Sequence, residues 1–239
     1  MTTFVISDVH GHFSVLKQAL KKAGFDEQNV NHHLLSLGDM FDRGKENKEV
    51  FEYLYSLHKE GKATLLLGNH DLFLLEFLKG DFESAEFNAA YNGFDETLKS
   101  FSGIKYRPKN LEKIYQTIQK NYPHLETWLD SLPLYLEKSP YIFTHGGIDG
   151  SKENWHDIDR KSFVWQYQSR LPGIDGKTIV VGHERTAMIR LNRGEISELN
   201  PFDLAQFLII KERGKIFIDG FVEFSKHINV LKLEIDIKA

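Results

Sequence analysis

Three short apolar runs in the first seventy residues constrain the fold more than any other feature. Residues 4–7 run into Asp8, residues 34–37 into Gly38-Asp39, and residues 64–67 into Gly68-Asn69-His70. Each run is too short for a helix and long enough for a buried strand. The intervening segments have helical spacing. Leu16, Leu20 and Ala23 share one face, with Ser14 placed as a cap and Gly24 as a stop. Val50, Phe51, Leu54 and Leu57 do the same within residues 46–59, before Gly61. The pattern is that of consecutive β-α-β units and a largely parallel sheet. Parallel strands point their C-terminal ends the same way, and those ends form the site crevice in open α/β sheets. Asp8, Asp39 and Asn69 are therefore expected to converge.

The rest of the chain fits around this frame. Residues 80–135 contain amphipathic pieces and predict a helical insertion that covers one side of the core. Strand character returns at 140–144 and 178–181, each followed by a histidine. It recurs at 207–210, 215–218 and 229–237, with Gly194 and Arg213-Gly214 expected as hairpin turns. No linker or repeat divides the sequence, so residues 1–239 are expected to form a single domain.

Composition removes several function classes. With 41% hydrophobic residues in 239, the chain can bury one substantial core. Thirty basic against 34 acidic residues give a formal charge of -4, so no broad electrostatic case exists for a stable nucleic-acid complex. The absence of cysteine excludes disulfides, thiolate-bound metals and thiol catalysis. No basic leader, lipidation motif or membrane-length apolar run is present, so a cytoplasmic protein without a membrane partner is expected.

The polar segments at the strand ends carry the chemistry. In an extended piece, Asp8 and His10 would point to one side and offer an oxygen and an imidazole nitrogen to a divalent metal. Gly11 leaves room for an unusual backbone angle. A polar strand end with a capping bond is the competing reading. In Gly38-Asp39-Met40-Phe41-Asp42-Arg43-Gly44, Asp39 is placed to bridge two metals and Asp42 to orient a histidine. Arg43 presents a fixed donor fork suited to phosphate; a solvated Asp–Arg turn is the alternative. Asn69 offers a carbonyl oxygen to metal and His70 a proton to a leaving oxygen, although an Asn-His pair can also cap a helix. His145 and His183, each ending an apolar run, complete a ligand set of Asp8, His10, Asp39, Asn69, His145 and His183.

These pieces together resemble the phosphoprotein phosphatase family of calcineurin-like metallophosphoesterases. The resemblance is nearest to bacterial serine/threonine protein phosphatases and diadenosine-tetraphosphate hydrolases. It rests on SDVHG at 7–11, GDMFDRG at 38–44, GNHD at 68–71, THGG at 144–147 and VGHERT at 181–186. YNGFDETLKS at 91–100 and LPLYLE at 132–137 add to it. It implies an α/β fold, a four-layer αββα sandwich of two mixed sheets flanked by helices. It implies one metal on Asp8 and His10, a second on Asn69, His145 and His183, and Asp39 between them. His70 would be the general acid, Asp42 its partner, and Arg43 the phosphoryl ligand.

In this family pattern two cations held by these residues would supply a nucleophilic water for attack on phosphorus, and His70 would protonate the leaving group. Oxygen and imidazole ligands suit manganese, iron or zinc, and the bacterial relatives point to manganese. The stretch FVWQYQSR departs from the family pattern, in which a second phosphate-binding arginine often follows the tryptophan. Arg170 is expected to compensate, with Arg160 and Arg185 as weaker choices. Asp42-Arg43-Gly44 without a following proline favours a serine/threonine protein phosphatase over a bis(5'-nucleosyl)-tetraphosphate hydrolase. A non-enzymatic phosphate-binding module is a third reading. The expected partner is a phosphorylated protein or nucleotide substrate, and a monomer is expected. His227 is expected on a loop, His12 near the site, and Asp71 beneath the His70 turn.

Overall fold

A computed structural model describes residues 1–237. The first β-α-β units form as the apolar spacing predicts. Strand β1 spans Thr2–Ile6, helix α1 Phe13–Ala23, β2 His32–Ser36, α2 Asn47–Lys59 and β3 Ala63–Leu65. Helices α3 (Asn69–Leu78), α4 (Phe82–Tyr91), α5 (Phe94–Ser102), α6 (Leu111–Asn121) and α7 (Leu125–Ser131) follow. The second half holds β4 (Tyr135–Lys138), β5 (Tyr141–Thr144), α8 (Arg160–Trp165), β6 (Thr178–Val181) and α9 (Thr186–Asn192). It closes with β7 (Ile210–Glu212), β8 (Lys215–Phe217), α10 (Val222–Ser225) and β9 (Leu231–Leu233).

The strands make two mixed sheets. One has the order β3-β2-β1-β9, the other β4-β5-β6-β8-β7. β1, β2 and β3 are parallel, as are β5, β6 and β8, while β9, β4 and β7 run antiparallel at the edges. Side-chain alternation along the strands separates the layers. Val5 and Leu35 face the other sheet and pack with Phe143, Val180 and Ile216. Phe4, Ile6 and Leu34 face the opposite way and pack with Leu16, Leu20, Leu54 and Leu57 of the first two helices. The result is the four-layer αββα sandwich that the sequence resemblance implies.

Four local expectations change. Ser14 does not cap α1; its hydroxyl donates to Glu46 Oε1 at 2.5 Å, and His12 occupies the cap position without a side-chain bond. Residues 204–207 form a 3-10 turn because Asp203 accepts from the Ala205 N–H, so the strand begins only at Ile210. Gly194 closes the end of α9 through its N–H to the Leu191 carbonyl, whereas Arg213-Gly214 does turn the β7–β8 hairpin. The predicted strand at 229–237 is reduced to Leu231–Leu233, the part that pairs with β1.

Candidate metal centre and active site

The parallel strands of both sheets end on one side of the molecule, and the loops leaving them interlock. Asp8 N–H donates to the Gly38 carbonyl at 3.1 Å, His10 N–H to Asp39 at 3.0 Å and Gly11 N–H to Met40 at 3.0 Å. From the other sheet, the His183 N–H donates to Asp8 Oδ2 at 3.1 Å. Gly182 is required there, since a Cβ would overlap the Ser7 hydroxyl and the Asp8 carboxylate. Asp8 and His10 do not reach the site by strand alternation. β1 has ended, and both residues are left-handed, with φ of 54° and 44°. Asp39, Asp42, Arg43 and His183 are left-handed too, with φ between 54° and 76°. Left-handed backbone is costly for residues with a Cβ, so its concentration here marks a functional constraint.

Asp39 lies at the middle of the ligand set. Its Oδ2 is 3.5 Å from His10 Nε2 and its Oδ1 3.3 Å from His145 Nε2. Asp8 Oδ1 is 3.9 Å from His10 Nε2, and Asn69 Oδ1 is 2.9 Å from His145 Nε2. Two groups, His10–Asp39–His70 and Asp39–His145–His183, each have ligand atoms within 4.8 Å of one another and share Asp39. All six ligands named from the sequence are therefore brought together. His70 joins them on the His10 side.

The donor chemistry fits a pair of divalent cations. His10 Nδ1 donates to the Phe41 carbonyl at 2.8 Å and His145 Nδ1 to the Leu37 carbonyl at 3.0 Å. Each ring thus turns the lone pair of Nε2 inward. His183 Nε2 is buried and unpartnered. Such a collection of inward acceptors demands positive charge. In the protein alone a proton answers part of that demand. Burial disfavours the charged ring of His145, but the Asp39 carboxylate outweighs it and raises the pKa to about 9. His183, buried and beside charged His145, is pushed down to about 3. Asp39 is itself held well below the usual carboxylate range: burial opposes this, but the His145 and His70 rings prevail. Two clustered His/Asp sites thus define a dinuclear metal centre; the ligand types admit manganese, iron or zinc alike.

Beside this cluster sits a histidine–aspartate pair. His70 Nδ1 and Asp42 Oδ2 are 2.6 Å apart, so the ring is fixed with Nε2 toward the centre. Asp42 is fully buried, and burial raises its pKa against the pull of His70. Its other oxygen accepts from Thr97 Oγ1 at 2.5 Å, and its N–H donates to Asn47 Oδ1 at 2.8 Å. Arg43 spans both halves: Nη1 is 2.6 Å from His10 Nε2 and Nη2 is 2.9 Å from His70 Nε2. Asp71 does support the His70 turn. Its carboxylate accepts from the N–H groups of Gly68, Asp39 and Met40, each at 2.9 Å, and burial raises its pKa to about 7.

Asp8, His10, Asp39, Asn69 and His183, with Arg43 and His70, line a cavity of about 730 Å³ that also includes Trp165, Tyr167, Arg170 and Arg185. Arg170 is exposed and lies 4.8 Å over the Tyr167 ring. Arg160 instead pairs with Asp130 at 3.1 Å. His227 borders a different cavity, with its Nε2 3.0 Å from Asn229 Oδ1. His12 Nδ1 bonds the His10 carbonyl at 2.7 Å. Sequence reasoning passed over Thr97, Asn47, Glu184 and Glu223. Glu184 accepts from the Ser169 N–H at 2.8 Å and from its hydroxyl, tying the 168–170 turn to the His183 loop. The YNGFDETLKS match contained Thr97 and the VGHERT match contained Glu184; no local signal marked Asn47 or Glu223.

The fold and the paired His/Asp clusters are those expected of a metallophosphoesterase family. Residues 1–216 match the model of the calcineurin-like phosphoesterase family, and the chain belongs to that family. A symmetrical bis(5'-nucleosyl)-tetraphosphatase of Buchnera aphidicola subsp. Schizaphis graminum is 39% identical over 176 residues. That match covers 72% of this chain and 53% of the relative, so the chain spans about half the length of the curated relatives it matches. Among solved structures, a candidate diadenosine tetraphosphatase superposes with a TM-score of 0.59 at 16% identity, covering 97% of this chain and 93% of its own. A serine/threonine phosphatase of Saccharomyces cerevisiae gives 0.50 at 20% identity, covering 92% and 67%. Both structural likenesses concern the fold. Among the described residues, no helix is long and apolar enough to cross a membrane.

Proposed function

We propose that this chain hydrolyses dinucleoside polyphosphates, in the manner that the names of its curated relatives describe. The observation that carries this reading is the pair of exposed aromatics beside the metal centre. Trp165 and Tyr167 remain 45% and 41% exposed inside the cavity. Tyr167 stacks on His183 with ring centres 5.2 Å apart, and Trp165 meets the same ring edge-on at 5.9 Å. An exposed aromatic face beside a phosphate-handling centre, such as that of Trp165, suits a nucleobase, which gains about 1–3 kcal/mol by stacking, while Tyr167 is held between His183 and Arg170. A phosphorylated protein can also lay apolar side chains on such rings, and the names of the curated relatives tip the choice toward the dinucleotide. The sequence-based preference for a serine/threonine protein phosphatase thus becomes the second reading, favoured by Asp42-Arg43-Gly44.

The assigned roles are these. Asp8, His10, Asp39, Asn69, His145 and His183 hold the two cations, with manganese our choice of metal. When bound, such cations supply a nucleophilic water at neutral pH and neutralise charge on the phosphoryl oxygens. Arg43 orients the phosphoryl group through its planar fork. The water oxygen bonds to phosphorus as the bond to the leaving oxygen breaks. His70 delivers its Nε2 proton to that oxygen, and Asp42 holds the ring in line. Residues 80–135 act as a helical insertion within one domain.

Parallel turnover measurements on diadenosine tetraphosphate and a phosphoserine peptide, with manganese supplied, test the substrate class. Faster cleavage of the dinucleotide is expected. A peptide rate that exceeds it returns the assignment to protein phosphatase, and turnover of neither removes both readings.

A further inference from the structure

Glu223 lies on the four-residue helix α10, at the edge of the cleft. Its Oε1 accepts from Arg43 Nη1 at 2.9 Å and from Arg185 Nη2 at 2.6 Å, so one carboxylate oxygen grips two guanidiniums. Arg185 also lies 4.1 Å over the Phe221 ring, which stacks on Phe224 at 5.3 Å. Its backbone is anchored through the next residue: the Thr186 N–H and hydroxyl both donate to the Asp219 carbonyl at 3.0 Å. Phe221 and Lys226 bracket α10 with φ of 56° and 53°. That conformation costs roughly 1–2 kcal/mol per residue with a Cβ. The chain sustains strain at both ends of α10 to keep Glu223 between two arginines.

The purpose of this arrangement lies in charge. Two guanidiniums drawn together repel unless an anion lies between them, and Glu223 supplies only one negative charge. Among these three groups one positive charge is left unbalanced on the wall of the cleft, with Arg185 about one-third exposed. Arg43 is committed at the metal centre through His10 and His70. Arg185 is joined to Arg43 through the same Glu223 oxygen and lines the same cavity without a hydrogen bond to the metal-centre histidines among the described residues, which leaves its fork to a further anionic group. Arg170 differs: among the described residues it has no carboxylate partner, and the Tyr167 ring alone supports its guanidinium.

We propose that Arg185, positioned by Glu223 and Phe221, forms a second phosphoryl subsite adjoining that of Arg43, so that the cleft takes a condensed phosphate chain through at least two of its groups. This deepens the dinucleoside-polyphosphate reading and rests on it only for the name of the substrate.

The test compares methylphosphonate with methylenediphosphonate as competitive inhibitors of 4-nitrophenyl phosphate hydrolysis. The manganese-loaded protein is used, with free manganese held constant by a metal buffer. Calorimetric titration of the same two compounds gives a readout independent of turnover. Charge-assisted bonds of this kind are worth about a factor of ten or more. The diphosphonate should therefore bind at least about tenfold more tightly than the monophosphonate. Arg185→Ala should reduce that ratio to about threefold or less. Arg185→Lys should fall between, because an ammonium keeps the charge without the fork. Glu223→Gln should reduce the ratio by loosening Arg185. An unchanged ratio in Arg185→Ala overturns the proposal; should that variant fail to fold, an unchanged ratio in Arg185→Lys does so. If diadenosine tetraphosphate is not cleaved but the ratio still depends on Arg185, the subsite stands and the substrate reading falls. Cleavage with a ratio independent of Arg185 removes the subsite and leaves the substrate reading standing.

Discussion

Asp42 has both carboxylate oxygens occupied, one by the His70 ring and one by the Thr97 hydroxyl. With no freedom left to the acid, the imidazole beside it is fixed as well. His70→Asn is expected to lower kcat on a poor-leaving-group ester by about 10²–10⁴-fold. Metal content, measured by elemental analysis, should be unchanged; equal turnover would reject the acid role. Thr97→Val removes the hydroxyl and leaves a buried carboxylate oxygen unpaired, which costs about 1–3 kcal/mol. Thermal unfolding should show that loss, together with a lower kcat as Asp42 gains freedom. At this scale much was legible. Asp8, His10, Asp39, Asn69, His145 and His183 each follow an apolar run, and their donor types announce a cation. Thr97 was not legible as a partner of Asp42, because a threonine inside an amphipathic helix looks like any other polar-face residue.

The elements explain why the loops can meet at all. A Cβ on Gly38 would lie 2.6 Å from the Gly68 Cα, and Gly38 itself has φ of 104°. The β2 and β3 loops thus touch through two residues without side chains, and Asp39 is seated by that contact. Gly38→Ala is expected to destabilise the protein by about 3 kcal/mol or more, since backbone strain and overlap add. Denaturant unfolding of the variant measures this, and a change below about 1 kcal/mol would show that the loops can separate cheaply. Helix α5 has a second task besides covering the core. The Gly93 carbonyl at its start accepts from the Arg43 N–H at 3.2 Å, and Thr97 holds Asp42. The extended geometry expected for Asp8 and His10 failed for a reason at this same scale. Alternation holds only inside a strand, and β1 stops at Ile6.

Across the whole molecule, two sheets deliver acidic groups to one end. Asp8, Asp39, Asp71 and Asp219 are all buried there. Burial raises the pKa of Asp219 well above the usual range, with Asp8 and Glu223 adding to it. Divalent cations that bind only the folded chain therefore stabilise it by mass action, by about 2.7 kcal/mol at a hundredfold excess over Kd. For a domain of this size that corresponds to roughly 5–10 °C in Tm. A chelator should lower Tm by such an amount and manganese should restore it, as read by scanning calorimetry. A Tm indifferent to both would show that the acidic cluster is satisfied without metal.

By itself the sequence determined the β-α-β frame, the side of the sheet on which chemistry collects, and the residue types that bind metal. All of these are local properties, carried by the period of apolar residues and by the polar groups that end each run. Tertiary structure alone decided that the His183 loop closes on Asp8 across two sheets, that Thr97 reaches Asp42, and that Glu223 joins Arg43 to Arg185. Those pairs are 175, 55, 180 and 38 residues apart along the chain. Their meeting depends on strand order, sheet stacking and left-handed turns, which arise from the packing of the whole core and leave no periodic trace in the residues themselves.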